Sequence, residues 1–406
     1  MTNDRLRLLY LSYAFPPGVS GRFPSLNPAG HPQETRMTQA LSRLADVATV
    51  GMMAREVFGK LEPRDDSIGV EHELLLWDRR PELWHRWRVW RQLRRFYIER
   101  TKRQGPPDVV LVKNLGPSYN FFVRWLKRQR SRPLIIWLLA DSGSLGKKIP
   151  FMKRLRYAFK PMVTLDDNQA ISWFDGCISW SFDTRRYFEP RGLPWLWMPS
   201  APNFHYEPPP ANPVESGPIR FGYFGNLGDQ SHVMEMVQAF LRAEVTGTLR
   251  VCGFGSLSEK LKQVAAGNPS FYFDGILKQT ECLNWAQQVD VLVNPRPPAM
   301  ALENSFPSKI FEYAMAGKAI LSSRTGGVDQ VVGPEGFYLE NENFEASLLN
   351  SFREIAGVDR SELQCRGTAI RTRILTDYNW DAQARRMTEF LAGLMAARRK
   401  VNDSRH

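Results

Sequence analysis

Along this chain, short apolar runs rich in β-branched residues alternate with longer stretches whose apolar positions recur at helical spacing. Arg5 to Tyr13, Asp46 to Met52, Glu71 to Trp77, Asp108 to Val112, Leu134 to Ala140 and Gly176 to Trp180 read as one set of strands. Ile219 to Phe224, Thr248 to Cys252, Ser270 to Phe273, Val289 to Val293 and Ala319 to Ser322 read as a second set. Strands separated by helices build parallel sheets, because a helical crossover is what returns the chain to the same end of the sheet. Between the two sets lies PSAPNFHYEPPPANPVESGP, Pro199 to Pro218, whose prolines lack the N–H donors that a packed helix or central strand requires. The pattern predicts an α/β protein of two Rossmann-like doubly wound domains, 1–198 and 219–378, with a linker over 199–218 and a final amphipathic helix and tail over 379–406.

The most informative stretch is NPRPPAMALENSFPSKIFEYAMAGKAIL, Asn294 to Leu321. It leaves the carboxyl end of a buried strand, where open α/β sheets bind ligands, and leads to Pro307, a residue suited to a helix's first turn. At 100° per residue Ile310, Phe311, Ala314 and Met315 share one face, which packs, whereas Lys309, Glu312, Tyr313 and Ala316 share the other. Gly317 suits the helix C-terminus. A helix start attracts anions, Lys309 adds positive charge, and Glu312 can accept hydrogen bonds from the hydroxyls of a ribose. The alternative is an exposed ion pair between Lys309 and Glu312, worth only ~0.2–0.5 kcal/mol.

Two further loops carry candidate chemistry. Gly222, Gly225 and Gly228 are spaced G-x-x-G-x-x-G at a strand end, which either makes a tight turn or cradles phosphate; this is not the G-x-G-x-x-G of a hydride-transfer enzyme. Ala14 to His31 reads as a long Pro- and Gly-rich loop, with Pro32 opening a helix. Arg296 either binds loop carbonyls or serves as a second cation for a phosphate, and Asp141, at another strand end, either caps a turn or orients a hydroxyl.

SFPSKIFEYAMAGKAIL resembles the donor-binding segment of family 4 glycosyltransferases, in particular a bacterial subgroup with an NPRP…SFPSK…EY pattern. The resemblance covers Arg220 to Tyr338 most closely. It implies a GT-B architecture, two Rossmann-like domains facing a central cleft with the C-terminal helix crossing back to the N-terminal, acceptor-binding domain. It implies retaining transfer of a sugar from a nucleotide-diphosphate sugar to a glycan or lipid-linked acceptor, with no further cofactor. The resemblance places the donor against Gly225, Asn226, Leu227, Glu303, Asn304, Ser305, Phe306, Ser308, Lys309 and Glu312. The candidate catalytic residues are Lys309 and Arg296, as replacements for the family's usual cations, and Asp141, which could orient an acceptor hydroxyl; the resemblance sets an acceptor-side loop at Gly30 and His31. In the mechanism implied, the departing phosphate takes the acceptor's proton, so a protein base is not obligatory. The chain departs from the family pattern at Asn304, which stands where a Glu-x7-Glu motif has its first glutamate, and at Asn226 and Asp229-Gln230-Ser231, where basic residues are usual. Rival readings are a nucleotide-sugar epimerase of the same fold and an inactive transferase-like binding protein.

Composition narrows the setting. The chain has 406 residues, 43% hydrophobic, and its longest apolar run, Leu134 to Ala140, is far short of the ~20 residues of a membrane span. The N-terminus reads as a strand rather than a signal peptide, so a cytoplasmic location is expected. Cys177, Cys252, Cys282 and Cys365 are scattered without metal spacing, and no Asp-x-Asp motif is present, so reduced thiols and no metal are expected. A net charge of +12 asks for an anionic partner. Arg79 to Arg103 interleaves Trp84, Trp87 and Trp90 with arginines, and Lys147 to Lys160 is a second basic segment. Trp at i, i+3 and i+6 suggests indoles along one side of a helix on an anionic membrane surface, at the inner face of the cell membrane; a solvated docking helix is the equal alternative. No nucleic-acid-binding signature accompanies the charge.

Overall fold

The computed structural model describes residues 5–12, 30–54, 71–77, 82–114, 117–140, 145, 170–202, 205–208, 217–228, 231–297, 305–340 and 342–404. These form two compact units: Met1–Pro199 with Glu303–Ser305 and Trp380–His406, and Ser200–Leu302 with Phe306–Asn379. Each is built on one parallel sheet with helices packed on it.

In the N-terminal unit the strands are β1 (Arg7–Leu11), β2 (Asp46–Ala54), β3 (Glu71–Trp77), β4 (Val109–Lys113), β5 (Leu134–Leu139), β6 (Gly176–Ser179) and β7 (Trp195–Trp197), ordered β3-β2-β1-β4-β5-β6-β7. Every residue of β4 and β5 is buried. That is why both read as unbroken apolar runs: a parallel sheet covered on both faces has no polar side. The helix Trp380–Asp403 packs on the helix Gly30–Ser42 of this unit. It is held there by Gln383, which donates to the Pro199 carbonyl at 2.7 Å, and by Arg386, which donates to the Trp197 carbonyl at 2.8 Å. The C-terminal helix thus returns to the N-terminal sheet.

The C-terminal unit contains β8 (Ile219–Asn226), β9 (Gly247–Phe254), β10 (Phe271–Phe273), β11 (Val291–Asn294), β12 (Ala319–Ser323) and β13 (Phe337–Leu339), ordered β10-β9-β8-β11-β12-β13. Asp290 ties the start of β11 to β8: its carboxylate accepts from the Arg220 backbone at 2.8 Å and from the guanidinium at 2.9 Å.

Three local expectations need correction. Gly30 and His31 belong to the helix Gly30–Ser42 and not to a loop before it. Pro32 does not mark the first residue, because none of the first-turn N–H groups has an intrahelical partner and proline is tolerated throughout that turn. Second, Trp87 and Trp90 do not share an outer face of the helix Glu82–Gln104: Trp87 is 43% exposed, whereas Trp90 packs against the core with Val89, Leu93 and Tyr97. A period of three falls ~60° short of a full turn at each step, so successive indoles rotate away from one another. The outer face is instead guanidinium-rich, with Arg88, Arg91, Arg94 and Arg95 exposed and Arg91 stacked 4.6 Å over Trp87. Third, Tyr313 and Ala316 are buried rather than on a polar face. Their helix, Lys309–Met315, lies between its sheet and the helix Arg360–Asp377, so only Lys309 and Glu312 remain partly accessible. Among the described residues no helix is long and apolar enough to cross a membrane.

Candidate functional site

In the six-stranded sheet the order turns between β8 and β11, and the crevice beyond the carboxyl ends of such a pair is the ligand site of open α/β sheets. Here it gathers the end of β8, the loop leaving β11 and the start of the helix Lys309–Met315. Pro307 and Ser308 make the entering turn, their carbonyls accepting from Ile310 at 3.0 Å and Phe311 at 3.1 Å, and this sets Lys309 at the helix start. Its side chain turns back to β8, where Nζ donates to the Tyr223 hydroxyl at 2.6 Å and sits 4.2 Å from the centroid of that ring. Tyr223 passes the interaction on by donating to the Asn226 carbonyl at 2.7 Å.

The three glycines of the β8 loop have three different physical reasons. A Cβ on Gly222, inside the strand, would lie 2.9 Å from both Cγ atoms of Val289. On Gly225, at φ +148°, it would lie 2.9 Å from the Lys309 ammonium and 3.3 Å from the Tyr223 hydroxyl. On Gly228 it would meet Asn226 Oδ1 at 3.0 Å, the oxygen that accepts from the Gly228 N–H at 2.6 Å and closes the loop. Gly225 is therefore the one that clears space for a cation, and the ammonium occupies it.

The electrostatics follow from that placement. Partial burial lowers the Lys309 pKa to about 8, with Glu312 acting against the shift and Arg296 with it. Burial raises the Tyr223 phenol, so it stays neutral and offers an oxygen, not a charge. The lysine is thus a cation whose hydrogen bond goes to a neutral group. Close by, Tyr313 donates to the Phe224 and Val293 carbonyls at 3.2 and 3.3 Å, pinning the helix to both strand ends.

Of the other predicted residues, Leu227 is fully buried, and its N–H donates to the Phe254 carbonyl at 2.8 Å. Phe306 packs on Phe311 with ring centroids 5.3 Å apart, Ser308 is exposed, and Ser305 is partly buried. Arg296 is partly buried, near enough to Lys309 for the two charges to repel. Asp141, Glu303, Asn304 and the Lys147 to Lys160 segment lie outside the described residues, as do the loop residues 14–29. Among the described residues no group of three or more His, Cys, Asp and Glu could hold a metal ion.

Sequence reasoning missed a second glycine pair, Gly253 and Gly255, at the end of β9. A Cβ on Gly253 would lie 1.9 Å from the Gly225 carbonyl oxygen, and one on Gly255 would lie 2.4 Å from the Leu227 carbonyl carbon. Only bare backbone lets the two loops close together. The signal was present in the Gly-Phe-Gly that ends the Thr248 run. Between them Phe254 is 62% exposed. The fold also brings together two of the scattered thiols, Cys252 and Cys282, and their contact holds the Cys282 thiol below its ordinary pKa.

Residues 218–356 match the family model described as Glycosyl transferases group 1. That range includes the whole of this site. No curated protein matches the chain. Among solved structures, the apo form of the lipopolysaccharide outer core galactosyltransferase WaaB aligns over 96% of this chain and 99% of its own, with TM-score 0.65 and 14% identity. Sucrose-phosphate synthase from Thermosynechococcus elongatus aligns over 97% and 100%, with TM-score 0.63 and 16% identity. HepE from Anabaena, in complex with UDP, aligns over 96% and 100%, with TM-score 0.64 and 14% identity. At these identities the likeness establishes the fold.

Proposed function

We propose that this protein is a retaining, metal-independent glycosyltransferase that takes a sugar, of hexose type, from a nucleotide-diphosphate sugar bound by the C-terminal unit. The acceptor, a glycan or lipid-linked saccharide, is bound by the N-terminal unit. The observation that carries this reading is the Lys309 ammonium, partly desolvated over Gly225 and hydrogen-bonded to a neutral phenol. A cation held at a cost beyond the strand ends is complementary to an anion that arrives with the substrate, and it acts most strongly when charge on that anion is growing. As the bond from the anomeric carbon to the diphosphate breaks, Lys309 and Arg296 receive the charge appearing on the leaving oxygen. The acceptor hydroxyl attacks that carbon and passes its proton to the departing phosphate. Glu312, one turn into the same helix, holds the ribose, and the exposed Phe254 ring suits a stacked base.

The match to a glycosyl transferase family model and a GT-B neighbour solved with UDP support the donor class. The guanidinium face of the helix Glu82–Gln104 supports a place against anionic lipid on the cytoplasmic side of the membrane, held by charge rather than by inserted indoles. The test is a thermal-shift screen of nucleoside diphosphates and their sugars, since a ligand selective for the native state raises its stability according to affinity. The hit is then incubated with saccharide and lipid-linked acceptors, and the product anomer is read by NMR. Retention at the anomeric carbon is expected. No stabilisation by any nucleoside diphosphate overturns the reading, and a rearranged sugar without an acceptor replaces it with epimerisation.

A further inference from the structure

Two of the four cysteines, Cys252 and Cys282, meet thiol to thiol in the C-terminal unit, and both are free. Cys252 lies near the end of β9, level with Phe224 of β8, and is buried. Cys282 lies in the first turn of the helix Gln279–Ala286 and is half-buried, so one sulfur of the pair keeps a surface that a small reagent can reach. The Cys252 thiol donates to the Cys282 sulfur. That hydrogen bond is the first cause both of a raised Cys252 pKa and of a lowered Cys282 pKa. Burial, Glu312 and Glu281 act against the fall at Cys282, and its own backbone N–H acts with it. One sulfur is therefore the better nucleophile, and the other holds the proton.

The other two thiols set the contrast. Cys177 is fully buried, and burial alone pushes its pKa up, whereas Cys365 stands exposed on its helix. Two thiolates are half of a tetrahedral metal set, but among the described residues no group of three or more His, Cys, Asp and Glu could complete one. The chemistry left to two sulfurs in contact is to join. A disulfide bond is only ~2.05 Å long, shorter than any hydrogen-bonded pair of sulfurs, so joining draws Cys282 and its helix toward β9. That helix is tied to the crevice described above. Trp285 donates to Asp274 at 2.7 Å and meets the Phe224 ring at 6.1 Å between centroids. Gln287, just past the helix, donates to the Ala316 carbonyl at 3.1 Å, at the end of the helix that carries Lys309 and Glu312.

We infer that Cys252 and Cys282 are a reversible disulfide pair, a site of oxidation by peroxide whose closing acts through the helix Gln279–Ala286 on the helix Lys309–Met315 and weakens donor binding. The effect on the donor rests on the transferase reading; the disulfide does not. The Cys282 sulfur, as thiolate, attacks one oxygen of hydrogen peroxide. The O–O bond breaks, and hydroxide leaves and takes up the proton that the thiol gave to solvent, forming water. The Cys252 sulfur then attacks the sulfur of the resulting sulfenic acid, the S–O bond breaks, and the oxygen departs with the Cys252 proton as a second water. Two thiols lose two electrons and two protons, and one peroxide becomes two waters. Two equivalents of a small thiol such as glutathione reverse the step by exchange and leave as their own disulfide. In the reducing compartment proposed above, the pair rests open and closes only under oxidant.

The test uses the full chain carrying Cys365→Ser, which removes the exposed thiol. It is treated with hydrogen peroxide or with a series of glutathione redox buffers, then mapped by mass spectrometry without reduction. A link between Cys252 and Cys282 that dithiothreitol reverses is expected. Added to this chain, Cys252→Ser keeps a donor to Cys282 and should leave that sulfur trapped as its mixed disulfide with glutathione, whereas Cys282→Ser should leave the buried Cys252 unmodified. Thiols with a packing role alone would not show that difference. The linked chain itself needs neither variant: amide hydrogen exchange over 279–288 and 309–317 should change on linking, and calorimetry should show UDP affinity falling about fivefold or more. A Cys282 that is glutathionylated or over-oxidised without linking overturns the proposal, as does a linked chain with unchanged exchange or unchanged UDP affinity. If UDP binds neither form, the transferase reading falls, and linkage and exchange decide the pair by themselves.

Discussion

Binding of a nucleoside diphosphate should draw a proton from solution, and the amount can be worked from Lys309. Desolvation lowers this lysine from an ordinary 10.5 to about 8. Below the lower value it is charged in folded and unfolded chains alike, and the folded state carries the whole burial penalty. Between about 8 and 10.5 the unfolded chain binds more protons, so stability rises with pH across that window. At 1.36 kcal/mol per pKa unit the penalty is about 3 kcal/mol, an upper bound for a side chain that keeps some exposure. A diphosphate against the ammonium cancels the penalty and returns the pKa to at least its ordinary value. At pH 8.5 the free lysine is then about one quarter protonated and the bound one nearly fully, giving an uptake of about 0.7 proton, against about 0.1 at pH 7. Affinity should weaken about fourfold between the same two pH values. Titration calorimetry in two buffers of different ionisation enthalpy measures the uptake directly, and Lys309→Met should remove both the buffer dependence and the pH dependence. Tight binding at pH 8.5 with no buffer-dependent heat would refute the contact between Lys309 and the diphosphate.

Four other outcomes follow from named contacts. Tyr223→Phe deletes the acceptor of the Lys309 ammonium and the donor to the Asn226 carbonyl, so urea unfolding should show a loss of about 1–3 kcal/mol. Gly253→Ala forces a Cβ to within 1.9 Å of the Gly225 carbonyl, whereas Gly275→Ala meets nothing within 4 Å at φ +75°; thermal unfolding should show a cost of only about 1–2 kcal/mol for Gly275→Ala and clearly more for Gly253→Ala. Glu312→Gln keeps the shape of the side chain and should lower donor affinity by no more than about 1.5–3 kcal/mol in calorimetry with little change in Tm; unaltered affinity rules out the ribose contact. Co-sedimentation with phosphatidylglycerol vesicles should be abolished by Arg91→Gln/Arg94→Gln/Arg95→Gln and by 0.5 M salt (roughly a 4 Å screening length) but only weakened by Trp87→Ala, while sedimentation on pure phosphatidylcholine would contradict an electrostatic contact.

Most of the fold was written in the apolar runs because parallel strands covered on both faces cannot be anything else. Val109–Lys113 and Leu134–Leu139 show no polar alternation, and their flanking helices have nowhere to go but the two faces. The strands that escaped notice, Trp195–Trp197 and Phe337–Leu339, lie at sheet edges, are three residues long, and in the first case lie among prolines. An edge strand pairs on one side only and needs less apolar surface, so its sequence carries less of the signal. The helix at Lys309–Met315 failed in a different way. Its polar half was inferred as if the helix lay on a surface, but a helix covered by a second layer buries Tyr313 and Ala316 as well, and nothing local distinguishes the two cases.

The candidate site divides along the same line between local and distant. Lys309 was legible because its neighbours in sequence specify it: Pro307 fixes the turn, and the helix carries the lysine at its start. Tyr223 was not, since an aromatic residue inside a strand reads as core, and only the fold brings its hydroxyl to an ammonium 86 positions away. The same holds for Glu34 and Lys113, 79 positions apart, and for Gly253 against Gly225. In both units the unseen partner is the group that determines what the visible residue does. Lys309 without Tyr223 is a helix-start cation in an unfavourable dipole; with Tyr223 it is a partly desolvated charge bonded to a neutral oxygen. Lys113 without Glu34 would be an isolated buried cation, and with it becomes half of a neutral pair. A lysine therefore marks each switch point in strand order, with a neutral phenol beside one and a carboxylate beside the other.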